Sequence, residues 1–396
     1  MNNTDDPIVI VSYARTPIGA FQGVYSNTSA TELGSIVIKA ALERANLQAE
    51  QVEQAIVGCV LSAGLKQAPA RQAALGAGLL NTTGCTTVNK MCGSGMQATM
   101  MAHDSLVANS ASVMVAAGIE NMTQTPYILP KARSGMRMGH GQVLDHMFVD
   151  GLEDAYEPGK LMGAYADDTA TKYNFSRESQ DEFALESLQR ARAATEKGLF
   201  KNEITAVDIK IKRENVTVLE DETPKVARPD KIPHLKPAFK KNGTVTAANS
   251  SSISDGAAAL IMMRESQAKS LSLTPVAKIV AHATNAHEPA WFTTAPIGAI
   301  SKVLNKANWS INDVDLFEIN EAFAVVTMAA MHDLKLDHAK VNIHGGACAL
   351  GHPVGATGTR ILCTLISALQ KNDLSKGVAS LCIGGGEATA IAIERI

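Results

Sequence analysis

Short apolar runs punctuate the first third of the chain. Ile8 to Val11, Ala55 to Val60 and Ser112 to Ala117 are runs of this kind, and each predicts a buried strand. A helix is expected from about Ala30. Ser29 and Glu32 have capping-box spacing, and Leu33, Ile36, Val37, Ala40 and Ala41 share one face. Helices between strands predict that this opening stretch is α/β with a mostly parallel sheet. The pattern changes after Asn121. Residues 122 to 165 are rich in Gly, Met, Pro and charge, with little periodicity. A helix then starts with Ser176 as N-cap and stops at Gly198. Residues 213 to 243, with Pro224, Pro229, Pro233 and Pro237, read as loop. Strands resume near Val276, at Val314 to Ile319 and at Val378 to Ile383. The division this suggests is a core half of 1–121 with 247–273, an insertion of 122–246, and a second core half of 274–396. A faint repeat supports the two halves. Val88-Asn89 and Val341-Asn342 each precede a Gly-rich turn, a helix and a strand that runs into glycine.

Composition narrows the class of function. The 396 residues are 46% hydrophobic and 19% charged, with a net charge of -3, so no basic field points to nucleic acid. The six cysteines form no CxxC pair and no metal spacing, and free thiols in a reducing compartment fit them. The start, Met1 to Asp6, is polar and acidic and lacks the marks of a secretory or transit leader. No stretch of about 18 apolar residues is present to span a membrane. These features lead us to expect a cytoplasmic protein with no metal site.

Four segments carry candidate chemistry. In Asn89-Lys90-Met91-Cys92-Gly93-Ser94-Gly95-Met96, the glycines allow a tight turn, and a helix can follow over Met96 to Val107. Cys92 at that helix start would have a lowered pKa and act as a thiolate. Its alternative is an inert buried thiol. In His344 to Gly358, five glycines and Pro353 shape backbone for close approach to a ligand, ahead of a helix from about Thr359. His352 there would titrate near neutrality as a general base. The alternative, a phosphate loop, lacks the GxxxxGK[ST] or GxGxxG spacing. In Leu381-Cys382-Ile383-Gly384-Gly385-Gly386-Glu387, a cysteine ends an apolar strand where backbone N–H groups can face an anion. A buried strand-end cysteine is the other reading. In Asn320-Glu321-Ala322-Phe323-Ala324, Asn320 either holds a water with Glu321 orienting it, or caps a helix.

Together these segments resemble the thiolase family. Ala14-Arg15-Thr16-Pro17-Ile18-Gly19, Thr246 to Ser251 and Asp255-Gly256-Ala257-Ala258 extend the likeness along essentially the whole chain. The resemblance implies two similar βαβαβαββ halves in a five-layer α/β/α/β/α arrangement. An inserted loop domain then covers a coenzyme A site. It also implies a ping-pong acyltransferase on acetyl-CoA, acyl-CoA and 3-ketoacyl-CoA, with no cofactor, assembled as a homotetramer. Cys92 matches the acylated cysteine, His352 its base, and Cys382 the acid that serves the α-carbon. Asn320 with His352 matches one oxyanion hole, and the N–H groups of Cys92 and Gly384 match the other. Ser251 matches a residue near the pantetheine arm, with Met162 and Phe323 as apolar walls. Lys225 falls near a basic position of the family, where the loop differs in length.

Two departures stand out. Short-chain members carry His-Met-Gly where this chain has Leu161-Met162-Gly163, so Leu161 predicts an apolar wall and broader chain-length acceptance. Glu387 follows the three glycines where the family often has Met, Gln or Gly. Its carboxylate either raises the pKa of Cys382 or turns away into an ion pair. Two other readings share the fold: a decarboxylating ketoacyl synthase, which would lack Cys382, and a silent scaffold, which would lack the nucleophile or base.

Overall fold

The computed structural model describes residues 6–211 and 213–396, so the first five residues of the polar start lie outside it. Among the described residues, nine strands and one two-residue strand build the main sheet. The nine are β1 (Ile8–Arg15), β2 (Gln54–Gly58), β3 (Gly84–Val88), β4 (Val113–Asn121), β5 (Ser254–Arg264), β6 (Ala277–Ala286), β7 (Leu316–Ile319), β8 (Lys376–Ile383) and β9 (Glu387–Arg395). Their order is β7-β8-β9-β6-β1-β5-β4-β2-β3, and the two-residue strand Gly19–Ala20 pairs with β5. Among these nine strands, parallel pairing occurs at β2/β3, β2/β4 and β7/β8. The neighbours of β5, β9 and β1 all run antiparallel. For the opening stretch the expected parallel arrangement holds, since β1, β2, β3 and β4 all run in one sense; the later strands make the complete sheet mixed. Helical crossovers made β2, β3 and β4 parallel, but β5 and β9 return antiparallel beside β4 and β8.

The repeat is plain in this order. β1-β5-β4-β2-β3 is matched by β6-β9-β8-β7, followed by Val341, which makes one parallel bridge to Phe317. Among the described residues, the half-sheets are joined by ladder pairing where β1 meets β6, at Val9↔Lys278 and Ile10↔Ala277.

The helices α1 (Ala30–Ala45), α2 (Pro69–Gly76), α3 (Ser94–Val107), α4 (Met162–Tyr173), α5 (Arg177–Glu196), α6 (Ala295–Ala307), α7 (Ala324–Leu334) and α8 (Thr357–Lys371) layer around the sheet. Both α1 and α2 cover one face of the first half, with Val9, Val11 and Leu33 in that core. Between the half-sheets lie α3 and α8, where Ile8, Ile10, Met96, Ile361 and Leu381 meet. The outer face of the second half is closed by α6 and α7. The result is the five-layer α/β/α/β/α arrangement. Because α3 and α8 are covered on both sides, α8 is buried from Thr357 to Leu369.

Local signals hold at several ends. Ser29 and Glu32 form the capping box of α1, and Ser176 caps α5 by accepting from the Ser179 N–H. β1 runs four residues past the apolar stretch because its polar side chains find partners inside. Ser12 donates to the Ala41 carbonyl at 2.7 Å, and Arg15, fully buried, pairs with Glu203 and Asp221. Between β4 and β5, residues 213 to 243 are less irregular than expected. Glu214–Val218 pairs as a hairpin with Val207–Ile211, and helical turns follow at Glu222–Val226 and Pro229–His234. Among the described residues, no helix is long and apolar enough to cross a membrane.

Candidate active site

The chain reverses sharply between β3 and α3. Asn89 Oδ1 accepts the Met91 N–H at 2.9 Å, and Ser94 Oγ accepts the Lys90 N–H at 2.8 Å. Met91 is held at φ +46°, a left-handed conformation uncommon for such a side chain. The turn presents Cys92 just before α3, whose N-cap is Gly93. Gly95 is needed here: a Cβ on it would lie 2.7 Å from Thr359 Oγ1 on α8. Close approach of α3 and α8 thus brings the Cys92 turn against the His352 loop.

The N–H groups of Cys92 and Gly384 both point at the Cys92 sulfur. Even so, burial pushes the thiol up to about 11, the two donors only partly oppose that, and the Glu120 carboxylate adds to it. The expected lowered pKa is therefore corrected. Desolvation outweighs the helix start and the N–H donors.

His352 is almost fully buried, and its expected titration near neutrality is also overturned. Burial, followed by the charge of Arg360, holds the imidazole down to about 3. Nδ1 lies 2.6 Å from Thr357 Oγ1, and that hydroxyl donates its one proton to the Pro353 carbonyl at 3.0 Å. The hydroxyl must then accept from Nδ1–H. Nε2 is left as a free acceptor without a protein partner. The resting pair is a neutral thiol and a neutral imidazole with its basic nitrogen available.

Cys382 is fully buried at the end of β8. Its thiol is pushed well up by burial and then by neighbouring Cys92, so it is not tuned toward neutral pH in the free protein. Glu387 turns to Lys90 and forms an ion pair with it, which settles the alternative left open for its carboxylate. Asn320 is 1% exposed, and both atoms of its amide lack a protein partner. It does not cap a helix, since Phe323 is the N-cap of α7. Glu321 does not orient it either. That carboxylate accepts from Ser187, Asn342 Nδ2 and the Cys348 N–H, and so anchors the turn leading to His352.

One cavity of about 370 Å³ brings most of these residues together. Cys92, His352, Cys382 and Gly384 line it, as do Leu161, Met162, Ser251 and Phe323. Asn320 is not on its wall. Ser251 Oγ donates to the Ala322 carbonyl at 3.0 Å. Phe323 meets Phe239 edge-on, with centroids 5.9 Å apart. Leu161, the N-cap of α4, also lines the adjoining cleft beside Glu157 to Lys160. Lys225 lies elsewhere, half-exposed and paired with Glu220 at 2.9 Å.

Sequence reasoning missed Glu120 and Thr357. Glu120 is fully buried on β4 and accepts from the N–H groups of Val60, Leu61 and Gly355. Burial raises its carboxyl to about 7 against those three donors. A charged residue closing an apolar strand was the available signal, hidden by ending that strand at Ala117. Among the described residues, one group has metal-ligand chemistry: His103, Asp104 and His282. Their polar atoms already pair, with Asp104 Oδ1 3.0 Å from His103 Nδ1 and 2.8 Å from His282 Nε2.

Residues 8–266 match the thiolase N-terminal domain and residues 273–395 the thiolase C-terminal domain. The chain belongs to the thiolase family. Among its relatives are acetyl-CoA acetyltransferases. A probable one from Dictyostelium discoideum is 48% identical over 99% of this chain and 94% of the relative. One from Escherichia coli strain K12 is 47% identical over 98% and 99%. A thiolase from Ascaris suum, solved in complex with coenzyme A, superposes with a TM-score of 0.93 at 40% identity, covering 98% of this chain and 100% of that one. The acetyl-CoA acetyltransferase of Bacillus anthracis reaches 0.96 at 40% identity, covering 99% of each chain.

Proposed function

We infer that the chain is an acetyl-CoA C-acetyltransferase that condenses acetyl-CoA with an acyl-CoA, or thiolytically cleaves 3-ketoacyl-CoA, through an acyl-Cys92 intermediate. The observation that carries this reading is one cavity lined by Cys92, His352, Cys382 and Gly384. In cleavage, His352 Nε2 takes the Cys92 proton and the sulfur attacks the 3-keto carbon. The oxyanion that forms faces the N–H groups of Cys92 and Gly384. Breaking the carbon–carbon bond releases the acetyl-CoA enolate, whose oxygen faces His352 and a water held by Asn320. Cys382 delivers a proton to its carbon, and coenzyme A then takes the acyl group from Cys92. Condensation runs these steps backwards. Every step uses side chains, backbone and substrate, so we assign no resident cofactor.

Ser251, Met162 and Phe323 are assigned to the pantetheine path, and Leu161 to the acyl side. Residues 122–246 are assigned as the loop domain over coenzyme A, between core halves 1–121 with 247–273 and 274–396. The match boundary between residues 266 and 273 supports the second division. A homotetramer is supported by apolar side chains left exposed at Tyr127, Leu129, Met138 and Val143. A cytoplasmic place is supported by six free cysteines, and a role in fatty acid metabolism by the 3-ketoacyl-CoA substrate of the cleavage direction.

Cys382 on the cavity wall speaks against the ketoacyl synthase, and an intact nucleophile and base speak against the scaffold. The test is rapid mixing with acetyl-CoA. We expect a stoichiometric burst of coenzyme A and an acetyl group mapped to Cys92 by peptide mass. Acetylation elsewhere, with Cys92→Ser still active, would sink the mechanism.

A further inference from the structure

We propose that Lys90 and Glu387 form a positioning pair that holds the two N–H donors at the Cys92 sulfur at their working separation. This rests on the acyltransferase reading above. The donors come from different halves of the fold. One is the N–H of Cys92, two residues after Lys90, and the other is the N–H of Gly384, three residues before Glu387. The turns that carry them touch where Gly93 faces Ile383; a Cβ on Gly93 would lie 2.4 Å from Ile383 Cδ1. The side-chain link between their flanks is the Lys90–Glu387 ion pair, with side-chain exposures of 23% and 35%.

The second turn needs such a link. Gly384, Gly385 and Gly386 have no side chains to pack, and the latter two sit at φ +92° and +87°. The His287 N–H donates to the Gly386 carbonyl at 2.9 Å, which ties the turn to β6 but not to the Cys92 turn. The ladder pairs Ile383↔Glu387 and Ala286↔Glu387 fix the flanks of the turn within the sheet, but they do not set its distance from the Cys92 turn to the few tenths of an ångström that matter to an oxyanion contact. Neither Lys90 nor Glu387 lines the cavity, so the pair acts through the donors and not by touching substrate.

The experiment is steady-state thiolysis of acetoacetyl-CoA by wild type, Glu387→Gln, Lys90→Gln, the double variant, and the exchange Lys90→Glu with Glu387→Lys. Urea unfolding of each confirms that it is folded. Each single variant should lower kcat about fivefold, the effect expected of one part-shielded pair, with KM unchanged. The double variant should lose no more than either single, and the exchange should recover most of the loss. The proposal is overturned by single variants with wild-type kcat, by losses that multiply in the double, by an exchange without recovery, or by a change in KM alone. It is also overturned if the variants only shift the pH profile of kcat, for that is an effect of charge. A wild type that transfers no acyl group overturns the acyltransferase reading itself; an active wild type with unaffected variants overturns only the pair's role.

Discussion

Replacing Thr357 with Val should slow acylation of Cys92 far more than it weakens substrate binding. The hydroxyl accepts from His352 Nδ1 at 2.6 Å and donates to the Pro353 carbonyl at 3.0 Å, so it selects the tautomer with Nε2 free. Valine keeps the shape and removes the acceptor. The buried Nδ1–H then loses its partner, at a cost of about 1–3 kcal/mol. The imidazole can escape that cost only by moving its proton to Nε2, and then it cannot take the Cys92 proton. The loss appears in the acylation barrier, and about 1.4–2.7 kcal/mol there is a tenfold to hundredfold drop in rate. Thr357 does not line the cavity, so KM for acetyl-CoA should hold. The assay is single-turnover acetylation followed by quenched-flow mass spectrometry, with Thr357→Ser as the control that restores the hydroxyl. A Val variant that acylates at the wild-type rate, or a Ser variant as slow as Val, would refute the tautomer argument.

Cys382→Ala should lose carbon–carbon bond chemistry and still exchange acetyl groups between coenzyme A and Cys92, because Cys382 serves only the α-carbon; equal loss of both half-reactions in a folded variant counts against that division. His352→Gln should flatten the acid limb of the stability curve. The folded imidazole is held at about 3 against an ordinary 6.5, so the unfolded chain binds the extra proton and stability falls as pH drops below 6.5. By pH 5 wild type should lose about 2 kcal/mol that the variant keeps; parallel urea-unfolding curves at pH 7 and 5 for both proteins would show the imidazole is not held neutral. Leu161→His should shift kcat/KM toward acetoacetyl-CoA and away from 3-ketoacyl groups of five or more carbons, since each buried methylene contributes up to about 0.8 kcal/mol. An unchanged ratio, or a wild type confined to the four-carbon substrate, removes that role from Leu161.

What could be read along the chain was whatever is decided locally. The capping box at Ser29, the cap at Ser176, the Gly-flanked Cys92 turn and the strand-end Cys382 depend on neighbours a few residues away, and each stands where its pattern put it. Sheet direction was not local. The sense of β5 is set by its pairing with β1 and β4, whose residues lie more than a hundred positions upstream. The hairpin Val207–Ile211 with Glu214–Val218 was missed although Val207-Asp208-Ile209-Lys210-Ile211 alternates apolar and polar residues, because the polar, Pro-rich stretch that follows drew its second strand into a loop.

The protonation states failed for the same reason, and that failure bears on mechanism. A cysteine at a helix start reads as a thiolate, and a histidine in a glycine loop reads as a group titrating near neutrality. Burial reverses both: Cys92 rises to about 11 and His352 falls to about 3. No short pattern reports that, because the desolvating walls come from segments far apart along the chain, with Phe148 and Leu161 from one stretch and Val354 and Gly384 from another. The consequence is that the Cys92–His352 pair holds no separated charge at rest. Charge has to appear during reaction, as the Cys92 proton moves to Nε2 and an oxyanion forms between two backbone N–H groups. Those donors are already in place at the sulfur, so stabilising the charge requires little rearrangement when it forms. A neutral pair beside preorganised donors favours the transition state over the resting state, which is the difference that accelerates a reaction.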